Sequence, residues 1–369
     1  MQKVICTTGD YDELYSHIRS RGYKNVLLVK DGVFDKLILA PKISAIEKRC
    51  ACALVPFDEF VPNPQYDSVE KGVKIFRSFN CDAIIAVGGG SAIDVAKCIK
   101  LYANMPCDQN YLFGTPVAND IELIAIPTTA GTGSEATKYS VIYYNGEKQS
   151  VTSESCIPTV VLLDETVLYS LPDYQRKSTL CDAMFHAVES YWSVNSTDES
   201  KAIAKNVIQT ILSNYKAYLD GERSVCSIIQ KAAYNAGRAI NITQTTAGHA
   251  MSYKLTSLFG ISHGHAVALC NVGLVRYMVD NRNKCLDKRG DEYLKGVFKE
   301  LADIFGVEND CKLPNAIKRF VDEMNFTIPH ASDEQIAALA NSVNPVRLKN
   351  NPVEISATAA QKIYKEVLN

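Results

Sequence analysis

The sequence predicts two domains, an N-terminal α/β domain with a mostly parallel sheet and an all-α C-terminal domain. Three observations support this fold class. Up to about residue 165, short β-rich apolar runs alternate with amphipathic stretches, as in βαβ units. One of these runs leads directly into three glycines and a serine. After Pro172, stretches with helical periodicity follow one another with few strand signals. A chain of 369 residues is long enough for two domains, which we place at 1–175 and 176–369.

The elements of the first domain can be assigned in chain order. The predicted sheet strands are NVLLV (25–29), ACALVPF (51–57), AIIAV (83–87), ELIAIP (122–127) and TVVLLD (159–164). Residues 67–79 carry apolar side chains at largely helical spacing, which predicts a crossover helix between two strands. Asn145-Gly146 between two β-rich runs predicts an antiparallel hairpin. In the second domain, residues 176–193 and 199–219 predict long helices.

Composition and charge exclude several classes of protein. The chain is 47% hydrophobic and 22% charged, and no apolar run approaches the ~18 residues of a membrane span. The first residues show neither a basic segment nor an apolar segment of a secretory signal, so we expect a cytoplasmic protein without a membrane partner. A net charge of −2 gives no footprint for nucleic acid. Twelve cysteines without a C-x-x-C pair indicate reduced thiols.

The glycines in GGGSAIDVAK (88–97) predict an anion-binding loop. Gly88, Gly89 and Gly90 let the backbone approach phosphate oxygens, and Ser91 can cap the helix that follows. The loop differs from the G-x-G-x-x-G fingerprint and follows the third predicted strand, which disfavours an ordinary Rossmann arrangement. A second glycine-rich turn, PTTAGTGSE (127–135), follows the next strand and would line the same edge of the sheet. Either loop alone could be a plain βα turn. Two such loops at one edge of the sheet favour a pyrophosphate-binding site.

Asp31 lies just past the first predicted strand. An acidic side chain there can accept hydrogen bonds from a ribose 2′-hydroxyl and repel a 2′-phosphate, which favours NAD(H) over NADP(H). Aspartate after a strand is also a common turn former, so both interpretations stay open.

Four of the six histidines lie between residues 186 and 265. Asp182 and His186 are four residues apart, which places both side chains on one face of a helix and close enough to share a metal ion. His249 and His263 would have to come from other helices. Each histidine alone is more often a packed or surface residue.

Five motifs in order and spacing closely resemble the iron-containing (group III) alcohol dehydrogenases. They are GGGSAIDVAK, PTTAGTGSEAT, DAMFHAVESY, GHAMSYKL and ISHGHAV. The resemblance runs nearly end to end and implies a dehydroquinate synthase-like two-domain architecture and a homodimer. It also implies roles for individual residues. Those implied to bind Fe(II) are Asp182, His186, His249 and His263; those implied to contact the nucleotide are Gly88, Gly89, Gly90, Ser91, Thr128, Thr129 and Lys148. Zn(II) is the main rival of iron, because imidazole and carboxylate bind both ions.

Two residues depart from the family pattern and are the candidate catalytic residues. Tyr253 stands where many members carry a second histidine that is implicated in proton transfer, and a tyrosine hydroxyl is a poorer acid–base group at neutral pH. His265 stands where the family usually has an aliphatic residue. It is either a contact of substrate or metal, or a packing residue.

The resemblance implies hydride transfer between NAD(P)H and a small aldehyde or primary alcohol, with the metal as Lewis acid and the nicotinamide and metal meeting between the domains. We expect an aldehyde reductase. Lys138, Arg238 and Lys254 suggest an anionic substrate such as phosphonoacetaldehyde, unless they are solvated surface charges. The alternatives are a dehydroquinate synthase-like lyase that uses NAD and a metal, and a zinc-dependent glycerol or polyol dehydrogenase. An inactive nucleotide-binding scaffold would predict damaged ligands, and all four are present.

Overall fold

The computed structural model describes residues 2–106 and 110–369. The contacts within the chain divide it into two compact units, Met1–Leu171 and Pro172–Asn369. Within the described ranges, no helix combines the length and the apolar character that crossing a membrane requires.

The N-terminal unit is built on a six-stranded parallel sheet of order β1-β8-β5-β4-β2-β3. Its strands are β1 (Lys3–Thr7), β2 (Asn25–Lys30), β3 (Ala53–Phe57), β4 (Ala83–Gly88), β5 (Glu122–Pro127) and β8 (Val160–Asp164). The longer helices of this unit are α1 (Asp12–Arg21), α2 (Ala40–Cys50), α3 (Tyr66–Ser78) and α4 (Gly90–Tyr102). The predicted parallel sheet and crossover helix are confirmed.

The centre of the sheet is its most apolar part. Every residue of β4 and β5 is buried, as expected of parallel strands that are covered on both faces. Side chains of α3 and α4 pack against these strands in one hydrophobic cluster. The edge strand β1 was not predicted, because only one of its five residues is buried and it therefore carries little apolar signal.

A separate two-stranded sheet follows β5. Strands β6 (Tyr139–Tyr144) and β7 (Glu147–Thr152) pair antiparallel. The turn between them is formed by Asn145 and Gly146, whose φ angles of 52° and 77° match the left-handed conformation of a tight hairpin turn. The predicted hairpin is confirmed.

The regular elements described in the C-terminal unit are helices. The α-helices are α5 (Asp173–Trp192), α6 (Asp198–Leu219), α7 (Cys226–Thr243), α8 (Ala247–Phe259), α9 (His263–Asp280), α10 (Asp291–Ile304), α11 (Leu313–Asp322), α12 (Asp333–Asn341), α13 (Pro345–Leu348) and α14 (Ala357–Leu368). Helix α5 packs against α6, α7 and α9, and it is buried without interruption from Ser178 to Trp192. Polar side chains in that stretch therefore lie in the interior, where they need a structural or chemical partner.

Candidate active site

The glycine-rich loops lie side by side at one edge of the parallel sheet. Strand β4 lies between β2 and β5, and Gly88 at its end is in register with Pro127 at the end of β5. On the other side, Lys30 at the end of β2 is in register with Val87. The strand order reverses direction here, and such a switch point is where open α/β sheets bind ligands.

The backbone at Gly88 in the first loop is packed too closely for a side chain. Gly88 has a φ of +155°, and a Cβ added there would lie 2.6 Å from the Ala92 Cβ and 2.9 Å from Asp31 Oδ2. The Thr128 N–H donates to the Gly88 carbonyl at 3.0 Å, which holds the second loop against the first. Helix α4 begins at Gly90, so its unpaired N–H groups are presented at this edge and favour an anion.

Asp31 lies against this loop and also closes its own turn. Its carboxylate accepts the Val33 N–H at 3.2 Å, as a turn former would. Burial raises the pKa of Asp31, and the N–H groups of Val33 and Gly89 oppose that rise. The proposed contact with a ribose hydroxyl stays a prediction.

Two charged residues of α4 join the glycine loops, and sequence reasoning assigned them no role. Lys97 is fully buried and donates to Ser134 Oγ at 3.0 Å and to the carbonyl oxygens of Thr137 at 2.8 Å and Tyr139 at 2.7 Å. Asp94 accepts from Ser134 Oγ at 2.5 Å. These bonds hold the PTTAGTGSE turn on α4. An acid and a base three residues apart in a mostly apolar helix were the available signal.

Asp94 also anchors the hairpin. Its Oδ2 accepts the Val141 N–H of β6 at 3.0 Å. Lys148 lies on the partner strand β7, opposite Tyr143. Burial raises the pKa of Asp94, and the charges of Lys97 and Lys148 oppose that rise. The predicted nucleotide contact Lys148 is thus on an element tied to the same helix as the glycine loop.

In the C-terminal unit, three imidazole nitrogens converge on one carboxylate oxygen. The Asp182 Oδ1 atom lies 3.4 Å from His249 Nε2, 3.8 Å from His186 Nε2 and 3.9 Å from His263 Nε2. Asp182 and His186 come from α5, His249 from α8, and His263 is the first residue of α9. The four residues predicted from the sequence as metal ligands therefore lie together.

Three of the four predicted metal ligands have ligand atoms that lie especially close together. Ligand atoms of Asp182, His249 and His263 all lie within 4.8 Å of one another. His186 is outside this tightest group, although its ring stacks on the His249 ring with centroids 4.5 Å apart. Helix α5 and the consecutive helices α8 and α9 thus present nitrogen and oxygen donors to a common point.

The electrostatics of the cluster favour positive charge. Burial alone would lower the pKa of the His249 imidazole, but Glu189 and Asp182 raise it to about 9. Burial alone would raise the pKa of Asp182, but the histidines around it hold that pKa well below its usual range. A cation is therefore stabilised at this position.

Glu189, which sequence reasoning missed, orients His249. It lies on α5 one turn beyond His186 and is fully buried. Its Oε1 accepts from His249 Nδ1 at 2.7 Å and from Asn271 Nδ2 at 2.9 Å. With the Nδ1–H donated to Glu189, the His249 Nε2 lone pair points to Asp182 and the other histidines. A buried carboxylate at heptad spacing from Asp182 was the signal in the sequence.

The two candidate catalytic residues have different surroundings. The Tyr253 ring stacks on the His263 ring, with centroids 5.7 Å apart and 8° between the planes. His265 is buried in an aromatic cluster, where its ring stacks on Phe326 at 4.1 Å and its Nδ1 lies 3.1 Å from the Tyr174 hydroxyl. Burial lowers the pKa of His265 to about 4. The catalytic role of each residue stays a prediction.

Comparison with known families assigns both units of the chain to one family. Residues 1–165 match the family described as iron-containing alcohol dehydrogenase, and residues 177–368 match the C-terminal part of the Fe-containing alcohol dehydrogenase family. The chain belongs to the iron-containing alcohol dehydrogenase family. It is therefore an NAD(P)-dependent oxidoreductase of the alcohol dehydrogenase and aldehyde reductase kind.

Relatives of this iron-containing alcohol dehydrogenase cover from 81% to 100% of its length. It is 28% identical to long-chain-alcohol dehydrogenase 1 of Geobacillus thermodenitrificans, over 97% of this chain and 93% of the relative. It is 29% identical to phosphonoacetaldehyde reductase of Streptomyces viridochromogenes, over 81% of this chain and 80% of the relative. The crystal structure of sulfoacetaldehyde reductase from Bifidobacterium kashiwanohense in complex with NAD+ is similar, with a TM-score of 0.86, 25% identity and coverage of 100% of this chain and 97% of that one.

Proposed function

We propose that the protein reduces short aldehydes to primary alcohols, with NADH as hydride donor and a divalent metal ion held by Asp182, His186, His249 and His263. The observation that carries this proposal is the convergence of three imidazole Nε2 atoms within 3.4–3.9 Å of one buried carboxylate oxygen. Tetrahedral ligand atoms at about 2.1 Å from one ion are themselves about 3.4 Å apart, so these spacings suit a shared ion.

The chemistry of the donor set also fits a metal. Asp182 Oδ1 and His249 Nε2 are buried, and neither makes a hydrogen bond among the described residues. Buried polar atoms without hydrogen bonds are costly unless another group satisfies them, and a cation would satisfy both. Three imidazoles and a carboxylate accept Fe(II) and Zn(II) alike. The family favours Fe(II), and Zn(II) is the rival that metal analysis has to exclude.

Each part of the chain has a defined task in this reaction. A divalent ion, when bound, would act as a Lewis acid on the carbonyl oxygen of the aldehyde. Glu189 holds the His249 ring so that Nε2 is the coordinating nitrogen. Tyr253 stacks on His263 and is the candidate that places a hydroxyl beside the ligands, where it would donate the proton that the product alcohol needs.

The glycine loop is the proposed site for the dinucleotide. Gly88, Gly89, Gly90 and Ser91 would bind the pyrophosphate, and Thr128, Thr129 and Lys148 would lie along the nucleotide. The N-terminus of α4 supports this, because its N–H groups favour a phosphate anion. Asp31 beside the loop supports a preference for NADH over NADPH.

Two of the relatives support an anionic substrate, whereas others are named for neutral alcohols or aldehydes. One is named for reducing phosphonoacetaldehyde and another for reducing sulfoacetaldehyde, and both aldehydes carry a strongly acidic group. We extend this preference to the present protein. The homodimer and the cytoplasmic location expected from the sequence remain predictions.

The decisive experiment combines metal analysis with turnover. We expect anaerobically purified protein to hold about one Fe(II) per chain and to oxidise NADH faster than NADPH when a short aldehyde is added. His263→Ala should lose most of the metal and at least about 100-fold in kcat/KM, because it removes a ligand. His330→Ala, a change at an exposed histidine, is the matched control. Unchanged metal content in His263→Ala would refute the ligand assignment, and no NADH oxidation with any aldehyde would refute the reaction.

A further inference from the structure

Arg347 lies next to the candidate catalytic tyrosine. It is on the short helix α13, and its Nη1 donates to the Tyr253 hydroxyl at 3.4 Å. Its guanidinium carbon also lies 5.0 Å from the centroid of the Tyr253 ring. The contact joins residues 94 positions apart in sequence, so it was not visible from the sequence.

Tyr253 connects this arginine to the metal-ligand cluster. It lies one turn after His249 on α8, so the two side chains share a face of that helix. Its ring is stacked almost parallel on the ring of His263, with centroids 5.7 Å apart. The His263 side chain is 38% exposed, whereas the Asp182 side chain is 4% exposed, so the cluster is open on the His263 side. The guanidinium group therefore contacts a phenol ring that is stacked on His263, the partly exposed member of the cluster.

Arg347 has a charge that the described part of the chain does not neutralise. It is half-buried, and the contacts of its side chain there are both to Tyr253, with no carboxylate within ion-pair distance. A partly desolvated guanidinium without a counter-ion favours an anion from solution.

The cations proposed from the sequence are less suited to this role. Lys138 forms an ion pair with Glu154 at 3.0 Å. Arg238 is exposed and donates to Asn235 at 3.2 Å, and Lys254 is exposed. Arg347 is the cation that the structure places against a residue stacked on a proposed metal ligand.

We infer that Arg347 binds the phosphonate or sulfonate group of a short aldehyde whose carbonyl oxygen faces the metal ligands. This inference rests on the proposed function and adds the residue that selects the substrate class. The planar guanidinium matches two oxygens of a tetrahedral oxyanion, which a lysine ammonium cannot do in the same way. Neutral aldehydes have no group for this contact.

The test compares anionic and neutral aldehydes in matched variants. We expect wild-type kcat/KM for phosphonoacetaldehyde or sulfoacetaldehyde to exceed that for propanal. Arg347→Gln should lower the ratio of anionic to neutral kcat/KM by about 30-fold, mainly through KM, and Arg347→Lys should lower it less. Lys349→Gln, two residues away and exposed, controls for a general loss of positive charge.

Tyr253→Phe separates substrate binding from a merely structural role of Arg347. If Arg347 only positions Tyr253, then Arg347→Gln and Tyr253→Phe should lower turnover of propanal and of the anionic aldehydes alike. That result, or an unchanged anionic-to-neutral ratio in Arg347→Gln, would overturn the inference. A wild-type enzyme that reduces propanal at least as well as the anionic aldehydes would overturn it too, while leaving the proposed reaction intact.

A binding measurement makes the inference testable without turnover. Ethylphosphonate, which has no carbonyl group, should raise the Tm of wild-type protein and of Lys349→Gln, but not that of Arg347→Gln. The shift would support the anion site even if every aldehyde failed as a substrate, in which case only the proposed reaction would fall. Equal Tm shifts in all three proteins, or no shift in wild type, would refute the anion site at Arg347.

Discussion

Glu189 shows how one buried side chain shapes the candidate metal centre. Its carboxylate accepts four hydrogen bonds from His249 and Thr246, including the Thr246 N–H at 2.5 Å, besides the bond from Asn271. Burial alone would raise the pKa of the Glu189 carboxyl, but His249 and these donors hold it below the usual range. The Glu189 carboxylate stays ionised, and both of its oxygens accept hydrogen bonds. Its role is to fix the ring and tautomer of His249 before any ion arrives.

We predict that Glu189→Gln weakens metal binding by about 10- to 100-fold, because an amide cannot accept the Nδ1 proton with the same strength. The measurement is the apparent Fe(II) and Zn(II) affinity of the metal-depleted protein, followed by competition with a chelator. Glu300→Gln is the control, since its carboxylate also accepts hydrogen bonds, from Tyr191 at 2.8 Å and Lys201 at 2.7 Å, in the same unit. Equal metal affinity in wild type and Glu189→Gln would show that the bond to His249 does not matter.

At the scale of single residues, the sequence alone identified the proposed metal ligands but not the residues that contact and position them. Asp182, His186, His249 and His263 were named because their residue types and motifs indicate metal chemistry. Glu189 and Arg347 were not, since a glutamate in a helix and an arginine near a proline are ordinary in sequence. Their importance arises from contacts over 60 and 94 positions, which only the packed structure supplies.

At the level of elements, the close packing of α9 on α5 brings His263 to Asp182. Helix α9 begins with His263 and Gly264, and a Cβ added at Gly264 would lie 2.0 Å from the Ser178 carbonyl oxygen and 3.0 Å from the Asp182 Cβ. Ser178 Oγ also accepts the His265 N–H at 3.2 Å. No side chain fits at this crossing, so the glycine sets the distance between the helices.

Gly264→Ala should therefore push the start of α9 away from α5 and displace His263. We expect it to lower the Tm and to reduce bound metal to well below one equivalent, because the added methyl group clashes with backbone. Gly296→Ala is the control, since a Cβ there meets nothing within 4 Å and alanine favours a helix. Metal content and Tm that match the wild type in Gly264→Ala would show that the crossing tolerates a side chain.

Elements with a strong local pattern were predictable, and those held by distant contacts were not. The hairpin was found because Asn145 and Gly146 have the conformational freedom that its turn needs. Strand β1 was missed because it is an edge strand with one buried residue. The bonds from Lys97 to Ser134 and Thr137 were missed because they connect a helix to a loop some 40 residues away.

On the scale of the whole chain, each unit carries its own buried charges. In the C-terminal unit they include Asp182 and Glu189 of the proposed metal centre. In the N-terminal unit, Asp94, Lys97 and Glu135 are grouped around the second glycine-rich turn, and Lys97 is fully buried. Burial lowers the pKa of Lys97 and raises that of Glu135. The stability of the N-terminal unit should therefore depend on pH through groups that take no part in the proposed metal site.

The buried carboxyl group of Glu135 determines how the stability of the N-terminal unit changes with pH. Burial raises the pKa of its carboxyl from 4.5 to about 7, partly opposed by the Lys97 ammonium. A raised folded-state pKa means that the native protein holds the proton more tightly than the unfolded chain does. This contribution to the free energy of unfolding is therefore complete below pH 4.5 and is lost as the pH rises through about 7. Its upper limit is about 3 kcal/mol.

Glu135→Gln should remove the loss of stability above about pH 7, because the amide stays neutral at every pH. We expect amide hydrogen exchange in β4 and β5 to be slower in Glu135→Gln than in wild type at pH 8, and similar in the two proteins at pH 5. Comparing the proteins at the same pH cancels the intrinsic pH dependence of exchange. The exposed Glu147→Gln on the hairpin should follow wild type at both pH values. If Glu135→Gln were no better protected than wild type at pH 8, ionisation of this buried carboxyl would not be what destabilises the unit.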